Sequence, residues 1–315
     1  MLKIENLVKE FSPGIRVNDD ISVDIEQGEI FGLFGPNGAG KTTLVSQIIG
    51  FIKPTQGKIT INGIDVVKKP HVARQLCSLQ PQSQISINGL TPMQAIELSG
   101  RIRKGDKKEV KQRTKFLLDQ LDLGKWANTK SENLSGGIRR LVTFCMAAIV
   151  PGNLVILDEP TNDVDPVRRK LLWEQIQNLA DLGVSVFLVS HNILEAEKYV
   201  NRLSIIDNGK LIALGTPSSL KMDLNDKLRI ELSHGLHDKI THYPEYVSLL
   251  TDVRQNKILS IPQEMAKEGL EWVTDLQENG KIDEFSLSAF TLEDAYLHVV
   301  GNSKEKVGMR SNESA

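Results

Sequence analysis

The chain has 315 residues, 40% of them apolar and 25% charged, with a formal net charge of −2, and this composition predicts a globular protein with one large core and a second, smaller one. Two cysteines in apolar stretches, Cys77 and Cys145, exclude a disulfide framework and favour a reducing compartment. No apolar run approaches the ~18 residues that cross a bilayer, and the amino terminus lacks a signal-peptide core, so we expect a cytoplasmic chain.

Alternating apolar and polar residues predict strands at the start of the chain. The runs at residues 2–7 and 21–25 have the period of half-buried strands. The run at 58–61 ends at Asn62-Gly63, the strongest short signal for a hairpin turn. We expect these runs to form a small antiparallel sheet beside the loop that begins at residue 35.

A glycine-rich loop follows the apolar run at residues 29–34. Residues 35–42 read Gly-Pro-Asn-Gly-Ala-Gly-Lys-Thr, the G-x-x-x-x-G-K-T pattern whose backbone N–H groups surround phosphate oxygens. A helix predicted over residues 42–49 directs the positive end of its dipole at the phosphates. Lys41 is expected to reach the β- and γ-phosphates and Thr42 to bind Mg²⁺, so the sequence predicts a nucleoside triphosphate site. A glycine-rich turn with a surface lysine is the alternative.

Helical spacing replaces the strand pattern between residues 91 and 148 and predicts a helical insertion. Residues 101–115 contain eight basic and two acidic residues, which predict either a solvated helix face or a surface for anionic lipid headgroups. Leu134-Ser135-Gly136-Gly137 supplies a hydroxyl and unobstructed N–H groups at a predicted helix start, a second anion-binding surface. Because one triphosphate needs only one such surface from a chain, we expect two copies to enclose each nucleotide between the glycine-rich loop of one and the Ser135 turn of the other.

Two continuous apolar runs, at residues 154–157 and 184–189, predict parallel strands buried on both faces and separated by a helix at 166–180. Both runs end in polar residues, at the strand edge where ligands bind in α/β sheets. There Asp158 is expected to hold Mg²⁺, Glu159 to polarise the water that attacks the γ-phosphate, and His191 to contact that phosphate or orient the water. The alternatives are two carboxylates that cap the next helix and a structural histidine.

The pattern changes after Gly215-Thr216-Pro217. Strands near 228–232, 258–261 and 283–287, a helix at 264–277 and a capping box at 291–294 predict a small α+β accessory domain over residues 218–301. Residues 218–315 carry 11 Lys or Arg against 17 Asp or Glu, which argues against a nucleic-acid partner. The polar tail at 302–315 is predicted to be disordered.

These motifs, in this order and at this spacing, make residues 1–217 resemble the nucleotide-binding subunit of an ABC transporter. The resemblance implies an α/β fold, a P-loop NTPase cassette with a RecA-like parallel-sheet core, a small antiparallel β-subdomain and a helical insertion at about residues 91–148. It also implies an ATPase that dimerises around two ATP and drives a separate permease from the inner face of the cell membrane. Residues 35–43 correspond to the Walker A loop, 134–137 to the ABC signature and 154–159 to the Walker B strand.

The resemblance assigns further residues. Gln82 matches the Q-loop glutamine by its spacing to Leu90-Thr91, although Gln80 and Gln84 lie nearby. Residues 162–165 correspond to the D-loop, and Phe11 to an aromatic that stacks on adenine, with a core phenylalanine as the alternative. The residues implied to bind the cofactor ATP are Phe11, Gly35, Pro36, Asn37, Gly38, Ala39, Gly40, Lys41, Thr42, Thr43, Gln82, Ser135, Gly136, Gly137 and Asp165. The implied catalytic residues are Lys41, Glu159 and His191, and the implied Mg²⁺ ligands are Thr42, Gln82 and Asp158.

Three positions depart from the family pattern. Ile138 stands where the signature usually continues with Gln or Met, and Asp163 and Val164 stand where a small residue and a leucine are usual. None of these removes a catalytic group. Asp163 and Asp165 nevertheless place two acids close together near the expected dimer interface, where they would slow closure of the dimer or make it depend on ions. We therefore predict slow but real turnover of ATP.

Residues 285–298 resemble the C-terminal extension of ATPases that work with ABC-2 type permeases in export, so we expect an exporter. The alternative is a soluble ABC ATPase that acts on ribosomes or DNA. Such proteins usually fuse two cassettes or interrupt the cassette with a long coiled coil, and this chain shows neither pattern. A regulatory subunit with little hydrolysis is hard to reconcile with the intact Lys41, Asp158, Glu159 and His191.

Overall fold

The computed structural model describes residues 1–83, 85–222, 226–233, 240, 242–253 and 256–296. The chain divides into two compact units, Met1–Thr216 and Pro217–Ala315. The strands of the first unit are β1 Leu2–Ser12, β2 Ile15–Ile25, β3 Ile30–Phe34, β4 Gln56–Ile61, β5 Ile64–Asp65, β6 Cys77–Gln80, β7 Leu154–Asp158, β8 Ser185–Ser190, β9 Arg202–Asp207 and β10 Lys210–Gly215. Its helices are α1 Lys41–Ile48, α2 Pro70–Leu76, α3 Pro92–Ile102, α4 Lys107–Gln120, α5 Gly136–Ala148, α6 Pro166–Asp181 and α7 Ile193–Ala196.

A four-stranded antiparallel sheet with the order β2-β1-β4-β5 confirms the small sheet predicted for the start of the chain. Leu2 and Ile4 of β1, and Ile21, Val23 and Ile25 of β2, are buried in alternation because successive side chains of a strand point to opposite faces. The predicted hairpin joins β4 to β5. Its turn residues Asn62 and Gly63 have φ angles of 50° and 76°, the left-handed pair that matches the twist of the two strands.

The central sheet has six strands in the order β10-β9-β3-β8-β7-β6, and all of them are parallel except β10. Every residue of β3, β7 and β8 is buried, as their continuous apolar sequences predict. The register pairs Phe34 with Ser190 and Asp158 with Val189. The segments that follow β3, β7 and β8 therefore meet at one edge of the sheet.

The predicted helical region contains α3, α4 and α5 together with short 3-10 turns at Gly124–Trp126 and Ser131–Asn133. Its basic segment is not uniform. Arg103 donates hydrogen bonds to the carbonyls of Val150, Cys77 and Gln75, and Arg113 donates one to Ala148. These two arginines are therefore structural, whereas the other six basic residues of the segment are exposed.

The second unit contains a four-stranded antiparallel sheet in the order β12-β13-β11-β14. Its elements are α8 Pro217–Leu220, β11 Lys227–Ser233, β12 Ser248–Val253, β13 Asn256–Pro262, α9 Ala266–Glu278 and β14 Glu284–Ala289. The sheet and α9 enclose a core of Ile230, Leu232, Leu259, Ile261, Val273 and Leu276. The capping box is confirmed, since the N–H of Thr291 donates to Asp294 Oδ2 at 2.8 Å and the N–H of Asp294 to Thr291 Oγ1 at 3.2 Å. The tail predicted at 302–315 lies outside the described residues.

Candidate functional site

The glycine-rich loop of residues 35–43, named the phosphate loop below, connects β3 to α1. Lys41 Nζ donates hydrogen bonds to the carbonyls of Gly35 at 2.7 Å and Pro36 at 3.0 Å, so the loop backbone fixes the ammonium group at the start of the helix. Gly40 has a φ of 102°, and a Cβ added there would lie 2.4 Å from the Val17 carbonyl oxygen. Only glycine fits this close crossing of the loop and β2.

Two buried side-chain amides, those of Asn18 and Gln47, connect the phosphate loop to its surroundings. Asn18 on β2 is fully buried; its Nδ2 donates to the Gly40 carbonyl at 3.2 Å, and its Oδ1 accepts from Gln47 Nε2 at 2.7 Å. The antiparallel sheet and α1 are thereby joined through the loop. Sequence reasoning missed both residues, because an asparagine beside two aspartates in an alternating strand carries no motif.

Glu159, directly after β7, and His191, directly after β8, are in contact. His191 Nδ1 lies 2.7 Å from Glu159 Oε1, and Ser190 Oγ donates to Glu159 Oε2 at 3.1 Å. Glu159 is buried, with a left-handed φ of 53°, and its N–H donates to the Val189 carbonyl at 2.8 Å. A buried carboxylate held by two neighbours and a strained backbone is oriented before any substrate arrives.

Charge is concentrated where the phosphate loop meets the two carboxylates. The pKa of Asp158 is raised to about 6, chiefly by burial and also by the charge of the neighbouring Glu159, against the lowering effect of Lys41 and Arg140. Burial also lowers the pKa of Lys41, which the charges of Glu159 and Asp158 partly oppose. Asp158 and Lys41 are therefore expected to be stabilised in their charged forms by a bound partner of opposite charge, because each lies in a poorly solvated position.

We expect Asp158→Asn to stabilise the nucleotide-free protein. A pKa raised in the folded state means that the carboxylate opposes folding at pH values above that pKa; the cost is complete at pH 8 and disappears as the pH falls through about 6 toward the ordinary value near 3.8. At about 1.4 kcal/mol per pKa unit, the gain reaches at most about 3 kcal/mol. Thermal or urea unfolding at pH 8 and at pH 4, without nucleotide or divalent cation, measures it.

Asp165→Asn is the matched control for that experiment. Burial acts to raise the pKa of Asp165, but hydrogen bonds and charge from Arg168 lower it overall. Its removal is therefore expected to lower stability at pH 8. A nucleotide-free Asp158→Asn protein that unfolds more readily than the parent at pH 8 would contradict the assigned burial cost.

One cleft collects much of the predicted site. It has a volume of about 340 Å³ and is lined by Val17, Asn37, Gly38, Gly40, Lys41, Thr42, Thr43, Gln82, Asp158 and Glu159. The described residues that line it include neither Phe11 nor Asp165, and they include no part of the signature turn at 134–137. Phe11 is 57% exposed, so the alternative of a core phenylalanine is wrong. The fold of one chain thus brings together the phosphate loop, Gln82 and the carboxylates, and the predicted signature residues do not enter this cleft.

The signature turn packs on the D-loop of its own chain. Ser135 is exposed and caps α5, where its Oγ accepts from the Ile138 N–H at 3.4 Å. A Cβ on Gly137 would lie 2.2 Å from the carbonyl oxygen of Asp163, whose φ is 62°. Asp165 caps α6 and pairs with Arg168 at 2.9 Å. Because the two backbones are in direct contact, a displacement of the D-loop is expected to displace the signature turn as well.

The glutamine predicted for the Q-loop reaches the cleft. Gln82 lines it, whereas Gln80 is fully buried at the end of β6, and Gln84 lies outside the described residues. Arg140, on α5, donates to the carbonyls of Pro81 at 2.9 Å and Gln82 at 2.7 Å. Sequence reasoning missed Arg140. The signal was available, since a charge three residues after Gly137 falls on the buried face of the helix.

The comparisons with known proteins agree with this geometry. A family model described as "ABC transporter" matches residues 18–162. A daunorubicin resistance ATP-binding protein of Streptomyces coeruleorubidus is 30% identical over 291 residues, which cover 91% of this chain and 92% of that protein. A Nod factor export ATP-binding protein of Rhizobium johnstonii is 35% identical over 219 residues, covering 70% of each chain.

Solved structures give the same fold. An ATP-binding subunit of an ABC transporter superposes with a TM-score of 0.66 at 26% identity, covering 71% of this chain and 92% of that chain. A dimeric ATP-binding cassette bound to ADP and Pi superposes with a TM-score of 0.63 at 24% identity, covering 69% of this chain and 98% of that one. Within the described ranges, no helix combines the length and the apolar character needed to cross a membrane. The chain belongs to the ABC transporter family, as one of its ATP-binding and ATP-hydrolysing subunits.

Proposed function

We propose that this chain powers export through a permease of the ABC-2 type. The observation that carries the proposal is the extent of the similarity to the daunorubicin resistance protein. The cassette unit ends at Thr216, but the alignment covers 91% of this chain, so it continues well into the second unit. The Nod factor export relative supports the same direction of transport. In this proposal the chain lies at the inner face of the cell membrane, held there by its permease.

We infer that Mg²⁺ accompanies ATP in the cleft. Mg²⁺ is typically bound by one or two protein oxygens together with phosphates and water. The cleft provides such oxygens. Asp158 is a buried carboxylate with no hydrogen-bond donor among the described residues, and Thr42 contributes a hydroxyl to the same cleft. Among the described residues, no group of three or more His, Cys, Asp or Glu is arranged so that it could hold a metal ion by itself. Asp158, Thr42 and Gln82 would hold the ion, which when bound neutralises phosphate charge.

The other groups of the cleft, and the two residues that contact Glu159, have complementary roles in the proposed reaction. Lys41 and the N–H groups of the phosphate loop bind the β- and γ-phosphates, supported by the amino terminus of α1. Glu159 accepts the proton of the attacking water, and its contacts with Ser190 and His191 fix the direction of its carboxylate. His191 is 60% exposed, which leaves the imidazole free to contact the γ-phosphate or orient the water.

The second copy is proposed to complete each site. Ser135, Gly136 and Gly137 provide a hydroxyl and N–H groups at the start of α5, where Ser135 is exposed, Gly136 is half-buried and Gly137 is buried, and none of the three lines the cleft of its own chain. An isologous dimer places them opposite the γ-phosphate in the partner's phosphate loop. Asp165 would lie at the same interface. Phe11, exposed at the end of β1, would stack on the adenine.

Capture from the native host tests the export proposal. The Glu159→Gln protein is added with ATP to detergent-solubilised cells, and the proteins that co-purify are identified. We expect a multi-helix membrane protein near one-to-one stoichiometry. The matched control adds Lys41→Ala, which removes the ATP-dependent part of the capture. Ribosomal or DNA-associated partners in place of a membrane protein would contradict the proposal.

A further inference from the structure

A single arginine joins the segment at residues 80–82 to the helix that begins at the signature turn. Arg140 lies on the second turn of α5 and is 6% exposed. Its two terminal nitrogens donate to the carbonyls of Pro81 and Gln82 at 2.9 and 2.7 Å, and its own carbonyl accepts from Gln80 Nε2 at 3.2 Å. Three successive residues of the segment 80–82 thus contact residue 140, on both its side chain and its backbone.

The contacts of Arg140 connect two regions that differ in their relation to the cleft, the Gln82 segment and the signature turn. Gln82 lines the cleft of its own chain. Five residues before Arg140, the exposed Ser135 caps the start of α5, and it does not line that cleft. In the proposed dimer that start completes the partner's site. Arg140 therefore stands between the nucleotide of one copy and the signature turn that serves the other.

The surroundings of Arg140 keep its side chain charged and in place. Burial lowers the pKa of Arg140, and the negative charges of Asp163, Asp158 and Glu159 oppose that effect. One of these carboxylates lies in the D-loop and two at the end of β7. A planar guanidinium can serve two carbonyls at once, whereas an ammonium presents one compact charge. Replacement by a neutral side chain leaves buried carbonyls without their donors.

We propose that Arg140 is a positioning residue that makes the Gln82 segment and the signature turn move as one body, so that nucleotide bound in one site favours closure of the other. The inference rests on the proposed dimer. Arg140 does not line the cleft, and it therefore acts on closure and not on the binding of ATP to a single chain. The same link would carry a displacement of the Gln82 segment by the permease to the signature turn.

Arg140→Gln tests this inference, with Arg103→Gln as its matched control. Arg103 is half-buried and, like Arg140, donates to several backbone carbonyls, but its partners are Val150, Cys77 and Gln75, none of which lines the cleft. Both changes are expected to lower the melting temperature. Only Arg140→Gln is expected to raise the ATP concentration needed for dimerisation, by at least about tenfold, in the Glu159→Gln background. The binding of a fluorescent ATP analogue to the isolated chain should stay unchanged in both variants.

Two further readouts separate the possible failures. Arg140→Lys, which keeps the charge but serves only one carbonyl well, is expected to give an intermediate dimerisation curve and to remain measurable if Arg140→Gln does not fold. If the Glu159→Gln parent fails to dimerise with ATP, the proposed dimer is wrong. If the parent dimerises, and Arg140→Gln and Arg140→Lys dimerise at the same ATP concentration as the parent, the role of Arg140 is wrong while the proposed function stands.

Discussion

Replacing Glu159 by glutamine is expected to lower the turnover of ATP by at least about 100-fold, the range that general bases contribute. The amide has nearly the same shape, but it cannot accept the proton of the attacking water. Binding of ATP should survive, because Lys41 and the phosphate loop are unchanged and one negative charge is removed from the cleft. The variant should therefore accumulate as an ATP-bound dimer, which the parent protein passes through only briefly.

Steady-state release of phosphate and the mass of the protein in the presence of ATP and Mg²⁺ measure both expectations. Glu29→Gln is the matched control. Glu29 is also buried and ion-paired, to Arg202 Nε at 3.1 Å, but it precedes β3 and so lies at the opposite edge of the central sheet. The control should retain the turnover of the parent. Basal activity undiminished in Glu159→Gln would contradict the role assigned to this residue.

Lys41→Ala and Ser135→Arg are each expected to lower the turnover of ATP by about 100-fold or more, the cost of losing one group that stabilises transition-state charge. The two changes act at different steps, the first on ATP binding by a single chain and the second on dimerisation. Lys41→Ala removes the ammonium from the phosphate loop, so ATP binding by a single chain should weaken. Ser135→Arg leaves the loop intact, so a single chain should bind ATP normally but fail to dimerise. Ser135 suits this purpose because it is exposed, whereas a side chain at Gly137 would collide with Asp163.

Titration with a fluorescent ATP analogue separates the two variants at once. The loss of the Ser135 cap costs about 1 kcal/mol of helix stability, which a thermal melt can verify as tolerable. An ATPase rate in either variant equal to that of the parent would contradict its assigned role. A Ser135→Arg chain that loses ATP binding would show that the signature turn serves its own cleft.

The parts of the site that sequence predicted are those in which one short segment carries its own chemistry. Three buried strands end in such segments: the phosphate loop, Asp158-Glu159 and His191. The apolar runs predicted these strands, and their parallel register brings the three segments to one edge of the sheet. Gln82 was separable from Gln80 by spacing alone. Its position in the cleft rests on β6, a strand of only four residues that no pattern marked.

The groups that sequence reasoning missed act through distant partners. Asn18 contacts Gln47, 29 residues later, and Arg140 contacts Gln82, 58 residues earlier. Only the folded chain brings such partners together, because no periodicity relates positions on different elements. The strand β12 was missed for a related reason: Ser248–Val253 places two exposed leucines side by side, which breaks the alternation of a half-buried strand.

The most direct test of the central claim, that two copies share each ATP site, is the activity of a mixed dimer. Lys41→Ala and Ser135→Arg chains are purified separately, mixed, and assayed for ATP hydrolysis. A mixed dimer contains one site with both defects and one site with neither, so the mixture should regain activity that neither variant has alone. If each chain carries its complete site, the mixture will stay as inactive as its parts, and the shared-site account will be wrong.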